Sequence, residues 1–442
     1  MTRPIPEAKG HPLLGSAREL RRAPHSFLAD LAWQHGGIAR FRVLHRQVIA
    51  VADPELAQEI LVSRWQRYVR GRPSRNIGII SNGLLALSGE EWLERRRLAQ
   101  PAFNREMLNG VVTTTHGCAT ALLAAWERER ARDGTVALEP GMLRLSMSTI
   151  ARMLLSSEVS EVSAERTGAL LRRGLALIAT RNRMIWPAPL WLPTPTNLGL
   201  RTVRRELDRF IVSHLATRAS EAASTTDLHA ALRAARDPRT GKMFTPEALL
   251  EETKTLFFAG YETTATSLTW TLYLLARHPG VAEALFEEFQ RVLGGRGLAT
   301  ADLPALPYAR AVLQEAMRLY PPVYTLPRRA TAGDELGGYA IPAGTPVLVS
   351  ILGVHRAPVW GADVAAFRPD RFLDPGWPRR AFLPFGAGRH LCIGADVAHV
   401  EILVALSVIL RRYRLATRSE VGVRPRITMV PDREIRLHLE PR

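Results

Sequence analysis

The sequence predicts a mainly α fold with a small β-rich part, organised as a single domain over residues 1–442. Three observations predict it. Helical patterning starts at Asp53-Pro54 and persists to about residue 320. Within it, one well-capped helix extends to about His278-Pro279, roughly 33 residues or about 50 Å at the helical rise. Alternation of period two is confined to about 38–52 and about 323–355, and no repeat or flexible linker separates independent domains.

The opening, Pro4-Ile5-Pro6 through His11-Pro12-Leu13-Leu14-Gly15, is extended and turn-rich. Ala39, Phe41 and Val43, then Val48 and Ala50, alternate with polar residues about a turn at His45-Arg46, which predicts a β-hairpin over Ile38 to Ala52. The long helix begins at Thr245, a capping hydroxyl, with Pro246 in its first turn and Glu247, Glu251 and Glu252 at its positive end. Another helix, about Tyr308 to Tyr320, is stopped by Pro321-Pro322. Extended segments follow, turning at Gly337-Gly338 and at Ile341-Pro342-Ala343-Gly344. Residues 356–391 are irregular, and a last helix is expected from Cys392 to Arg412.

A hydrophobic content of 46% places the chain among globular proteins. The formal charge of +17 comes almost entirely from arginine, since lysine stands only at Lys9, Lys242 and Lys254. The arginines are scattered, often beside glutamate as in Glu127-Arg128-Glu129-Arg130, and no nucleic-acid module is present, so nucleic acid is not the expected partner. Two cysteines, Cys118 and Cys392, exclude a disulfide framework and fit a reducing compartment. Cys118 is read as a small buried side chain. The uncharged stretch Met107 to Trp126 carries Asn109, three threonines and His116, a poor transmembrane segment, and no signal peptide is evident. The expected location is cytoplasmic, without a transmembrane anchor.

Four local patterns carry chemistry. The first is Phe385-Gly386-Ala387-Gly388-Arg389-His390-Leu391-Cys392-Ile393-Gly394. Its glycines let backbone approach a bulky group, a helix start stabilises a thiolate, and Gly394 leaves room beside the sulfur. Taken alone, such a cysteine reads first as a buried residue at an ordinary loop–helix junction. The second is Ala259-Gly260-Tyr261-Glu262-Thr263-Thr264, where mid-helix glycine costs about 1 kcal/mol relative to alanine. Ala259 and Gly260 share a face with Thr263 and Thr264, flat enough for a planar ligand with a hydroxyl beside it; equally, the threonine can bond back to its own helix and the glycine can admit close packing. The third is Glu315 with Arg318, one turn apart and able to pair, with Arg371 of Phe367-Arg368-Pro369-Asp370-Arg371-Phe372 as a further partner. The fourth is Trp92 with Arg96, an indole N–H and a guanidinium able to hold an anion, or else one face of a solvated basic helix.

In this order and with these spacings, the motifs resemble the cytochrome P-450 superfamily over nearly the whole chain. The resemblance implies that family's fold, with the long central helix over a haem b. It makes Cys392 the axial thiolate, pushing electron density toward the iron. Thr263 and Glu262 match the family's alcohol–acid pair for proton delivery during activation of O2. Trp92, Arg96, Arg328 and His390 fall where the haem propionates are anchored, while Ala259, Gly260, Phe385, Gly386 and Gly394 fall beside the ring. Glu315, Arg318 and Arg371 become a structural lock. Arg356-Ala357-Pro358 departs from the family, where aspartate often precedes the proline.

The same resemblance suggests a substrate pocket lined by Leu84, Leu85, Phe257, Phe258, Ala259, Thr325, Leu326 and Met429, suited to a terpenoid, fatty acyl or polyketide-like compound. The stretch Met184 to Leu192, with Trp186 and Trp191, is either part of an access lid or an ordinary packed loop. No flavin or iron–sulfur module is present, so electrons from NAD(P)H are expected to arrive through a separate ferredoxin and ferredoxin reductase. Arg95, Arg97 and Arg389 are candidates for a basic docking face. The expected activity is hydroxylation by a monooxygenase. The rivals are a peroxide-driven haem-thiolate enzyme or isomerase, a non-catalytic haem or ligand carrier, and, remotely, a zinc site on Cys392, His390 and His399.

Overall fold

A computed structural model describes residues 3–158, 160–184, 186–220 and 227–442. Asp53 accepts the Leu56 N–H at 2.9 Å and Pro54 fills the first turn, so the predicted helix start is a genuine cap. That helix, Pro54–Gln58, is short and passes into a π-turn at Glu59–Ser63. Longer helices follow at Arg105–Asp133, Leu138–Leu155, Glu161–Arg183 and Pro195–Ser220. In the first of these, Val111, Thr115, Cys118, Leu122 and Trp126 form one buried stripe at helical spacing, so the uncharged stretch is an amphipathic core helix. Cys118 is buried there, as expected. Among the described residues, no helix is long and apolar enough to cross a membrane.

The central helix is Pro246–Arg277, 32 residues. Thr245 Oγ1 accepts the Ala248 N–H at 3.2 Å, as its position predicts. It packs against Leu138–Leu155, Pro307–Leu319 and the last helix, Ala395–Arg412. Enclosed on several sides, it needs apolar or internally bonded side chains all round. Thr269 and Thr271 meet that need by donating to carbonyls one turn back, at 2.8 and 2.7 Å.

The main sheet has five strands: β1 (Ile38–Val43), β2 (Arg46–Val51), β3 (Tyr68–Arg70), β4 (Thr325–Ala330) and β5 (Pro346–Ser350), in the spatial order β1-β2-β5-β4-β3. The predicted hairpin is β1–β2. Its turn is Leu44–His45 rather than His45-Arg46, because Val43 already pairs with Arg46 and Leu44 takes the positive φ. β3 lies inside the region expected to be helical; three residues are too few to show a period. Strands at Tyr413–Ala416, Val423–Pro425, Met429–Pro431 and Arg436–Pro441 also lie beyond the expected β-rich parts. Arg436 and Leu437 pair with Ala137 and Val136, a non-local contact that local alternation cannot reveal.

Candidate active site

The glycine-rich segment turns sharply before the last helix. Gly386 and Gly388 have φ of +75° and +65°, where side chains are disfavoured, and a Cβ on Gly388 would collide with the Leu61 carbonyl. The Cys392 N–H donates to the Phe385 carbonyl at 3.0 Å and closes the loop. The helix begins at Ala395 with Gly394 as its cap, so Cys392 stands outside it, not in its first turn as expected. The stabilising N–H is that of Gly394, which is directed at the sulfur. Cys392 is accessible to solvent yet crowded by protein; burial pushes its thiol up, while the Gly394 N–H and Arg96 pull it down. Around Gly394 there is open space.

Beside this loop lies a cluster of cations. Arg70 and Arg328 face each other across the β3–β4 register, a like-charge pairing that disfavours the sheet unless an anion offsets it. Arg96 donates to the Leu391 carbonyl at 3.1 Å. Among the described residues, none of Arg70, Arg96 and Arg328 has a carboxylate within ion-pair distance. Burial, then Arg328 and Arg96, push Arg70 down to about 9; burial alone pushes Arg328 down to about 10. Both stay charged at neutral pH. The His390 ring lies 4.2 Å from that of Trp92, and burial followed by Arg70, Arg328 and Arg96 pushes it down to about 3. Trp92 Nε1 and His390 Nδ1 are buried without hydrogen-bond partners among the described residues. The sequence reading missed Arg70, whose only signal was its place beside Tyr68 in a three-residue strand.

On the central helix, every residue from Glu252 to Ala276 is buried except Ala259, Gly260 and Thr263. These three form one accessible window on the helix face; Thr264, expected on the same face, is buried instead, because it lies about 100° round the helix from Thr263. Both local readings of the motif also hold: Thr263 Oγ1 donates to the Ala259 carbonyl at 2.7 Å, and a Cβ on Gly260 would press on Ile150 at 3.0 Å. Glu262 points elsewhere. Its Oε1 accepts the Thr428 hydroxyl, its Oε2 has no hydrogen-bond partner among the described residues, and it borders a small cavity with Glu139, Arg172 and Arg426. Burial raises its pKa, opposed by the Thr428 bond and by Arg426 and Arg172.

Glu315, Arg318 and Arg371 are brought together with no exposure to speak of. Arg318 meets Glu315 at 2.6 and 2.8 Å, and Arg371 Nε meets it at 2.9 Å. His355, which the sequence reading passed over, connects this group to the segment before the cysteine loop. Its Nδ1–H donates to the Arg318 carbonyl at 3.2 Å, and its Nε2 accepts the Leu383 N–H at 2.8 Å. Burial pushes His355 down from 6.5 to about 3. The unfolded chain takes the proton near 6.5, so this contribution to stability is full above that pH and is lost as pH falls toward 3. Denaturant unfolding between pH 4 and 6.5 is expected to show about 1.4 kcal/mol per pH unit from this group, and a His355→Gln protein should lack that slope. Ala357, the family departure, sits in the apolar cluster of Val354 and Trp360 and needs no ionic partner.

The remaining expected sites divide. Leu326 comes within 3.6 Å of the Cβ position of Gly386, and Thr325 and Leu85 are half-buried. Leu84 and Phe258 are both buried. Phe257 and Met429 are wholly buried away from the window: Phe257 packs on Phe210 with ring centroids 5.3 Å apart, and Met429 packs with Tyr324 and Leu352. Helical residues two apart diverge by about 200°, so Phe257 cannot share the Ala259 face. Within the Met184–Leu192 stretch, Ile185 lies outside the described residues. Trp186 and Trp191 are 78% and 75% exposed, so this is no ordinary packed loop. Buried Arg181 and Asn197 bond to the carbonyls of Ala188, Pro189 and Leu192 and pin it. The expected basic face is also corrected. Arg95 donates to the Ala248 carbonyl and Arg97 binds buried Asp237 at 3.0 Å, leaving Arg389 exposed over Trp65. His399 turns back to the Ala395 carbonyl, and among the described residues no group of His, Cys, Asp and Glu is placed to share a metal, which leaves no zinc site.

The donors therefore fit a haem: a soft thiol for iron, three guanidiniums and two orphaned N–H or ring-nitrogen groups for two carboxylates, and a flat helix window. Comparison with known proteins agrees. The Cytochrome P450 family model matches residues 5–435. The chain is 33% identical over 437 residues to Cyclooctatin synthase of Streptomyces melanosporofaciens, covering 95% of this chain and 92% of that one. It is 31% identical to Pentalenene oxygenase of Streptomyces avermitilis, covering 98% and 96%. It is 34% identical to Cytochrome P450 734A5 of Oryza sativa subsp. japonica, covering 86% and 74%. On its motifs, its fold and these likenesses, the chain belongs to the cytochrome P450 family of haem-thiolate oxidoreductases.

Proposed function

We propose that this cytochrome P450 is a monooxygenase that inserts one oxygen atom of O2 into a hydrophobic small molecule as a hydroxylation. NAD(P)H supplies the electrons through a separate ferredoxin reductase and ferredoxin. The observation that carries the reading is the window of Ala259, Gly260 and Thr263 in a helical stretch, Glu252 to Ala276, that is otherwise buried. Cys392 would hold the iron, and Arg70, Arg96, Arg328, Trp92 and His390 would hold the carboxylates. When bound, the haem supplies the oxygen chemistry, with the thiolate favouring O–O cleavage. The protein supplies position and protons.

Thr263 gives its own proton to Ala259, which leaves its oxygen lone pairs free to accept from a donor at the window. Glu262, within the same helical turn, is a carboxyl whose proton affinity burial raises, and its Oε2, without a partner among the described residues, is the atom that can pass a proton on through water. The substrate reading is apolar. Pentalenene oxygenase and Cyclooctat-9-en-7-ol 5-monooxygenase are by name oxygenases of an alkene and an alkenol, which favours the terpenoid over the fatty acyl or polyketide choice. Arg389, exposed beside the cysteine loop, supports docking of an acidic ferredoxin.

Thr263→Ala tests the reading. With ferredoxin, reductase and O2, product formation is expected to fall about 10²-fold while reductant consumption continues. Product from peroxide alone, and none from the ferredoxin system, would establish the peroxide-driven rival. No oxidation by the wild-type protein across apolar candidates that bind would establish the carrier.

A further inference from the structure

Glu252 lies on the same stripe of the central helix as Ala259 and Thr263, and its side chain is wholly buried. Its carboxylate accepts the Leu84 N–H at 3.2 Å and stands 3.9 Å from Arg95 Nη1. Gly83 makes this approach possible, since a Cβ there would sit 2.9 Å from Glu252 Oε2. The Leu84 carbonyl accepts from Arg70, so a single residue's backbone links the carboxylate to the cation cluster. The groups around it are Arg95 and Arg96 from the Gly89–Ala99 helix and Arg70 from β3. On its own helix, Glu251 is turned away toward Arg204 and Lys254, at 2.6 and 2.8 Å.

We infer that Glu252 is the built-in counter-charge of Arg70 and Arg96 and takes up a proton when the porphyrin carboxylates occupy the Arg70–Arg96–Arg328 cluster. The inference rests on the reading that these arginines hold the haem carboxylates. Without those carboxylates, Glu252 supplies negative charge that Arg70 and Arg96 both feel. Burial raises it to about 7; Arg95 and the Leu84 N–H hold it from rising further, with help from Arg70 and Arg96. Carboxylates arriving on Arg70 and Arg96 neutralise that help and add repulsion of their own. The burial penalty then prevails, and a proton moves from solvent to the Glu252 carboxylate. Glu252 is thus a positioning residue, which steadies mutually repelling guanidiniums and then withdraws its charge.

Linkage gives the test. If binding takes up a proton, haem affinity falls as pH rises above the value at which Glu252 ionises in the haem-free protein. Haem-loaded wild-type and Glu252→Gln proteins are equilibrated with a haem-acceptor globin from pH 7 to 8.5. Protonation of the acceptor, and loss of the Cys392 proton to iron, are common to both proteins and cancel in the comparison. Wild-type affinity should fall about tenfold further than that of Glu252→Gln over this range. Glu252→Asp should restore the dependence. Independently, the infrared spectrum of the wild-type holoprotein at pH 8 should hold a protonated carboxylic acid band that Glu252→Gln lacks. Equal pH slopes in wild type and Glu252→Gln, or no such band, would overturn the proposal. Undiminished haem affinity in Arg70→Gln and Arg96→Gln would show instead that the carboxylates are held elsewhere, and would remove the underlying reading as well.

Discussion

Replacement of Cys392 by serine is expected to abolish oxygenation, lowering product formation at least about 10³-fold, while haem is still bound in substantial part. The sulfur would be a soft, polarizable ligand, its charge supported by the Gly394 N–H and Arg96. A serine alcohol cannot ionise near neutral pH and offers the iron a weak, hard donor. Porphyrin carboxylates would still find Arg70, Arg96 and Arg328, none of which depends on the sulfur for its position. Reduced carbon monoxide spectra check the result: the thiolate signature should vanish in Cys392→Ser and persist in Cys118→Ser. If the signature survives at full strength in Cys392→Ser, the iron ligand lies elsewhere.

The second large effect is on folding. Arg318 uses all its N–H directions. Two meet Glu315, and the others reach the carbonyls of His355, Val364 and Ala366 at 3.1, 2.8 and 3.3 Å. Glu315 also accepts the Arg368 N–H at 3.0 Å. Glu315→Gln removes the charge that offsets two buried guanidiniums and turns an acceptor into a donor facing them. Breaking a buried pair in this way costs about 3–5 kcal/mol, a large share of the roughly 5–15 kcal/mol that holds a domain together. Glu315→Gln protein is therefore expected to be recovered in low yield, with its denaturant midpoint sharply lowered and haem lost in the same transition. Arg371→Lys, which keeps charge but loses the planar fork, should fall between it and wild type. A Glu315→Gln protein as stable as wild type would show that the ion network contributes specificity rather than stability.

Much of this could be read directly from residue order. The Thr245 cap, the Glu315–Arg318 spacing, the turn glycines around 386–388 and the shared face of Ala259, Gly260 and Thr263 are all set by neighbours within a few positions. Helical periodicity and φ preferences act at that range, so each was legible. The same short range explains the misplaced start of the last helix, since nothing local distinguishes Cys392 from Ala395 as its first residue.

What sequence order could not disclose is which distant groups share a side chain's surroundings. Arg70 became part of the site because β3 pairs with β4 and sets it opposite Arg328. Arg95 and Arg97 became half-buried and engaged because Ala248 and Asp237 were folded against them. Glu262 turned to Thr428, and Phe257 to Phe210, because adjacent helical residues must face different neighbours. Charge, burial and proton affinity depend on partners far along the chain, and those partners meet only when strand register and helix packing bring them together.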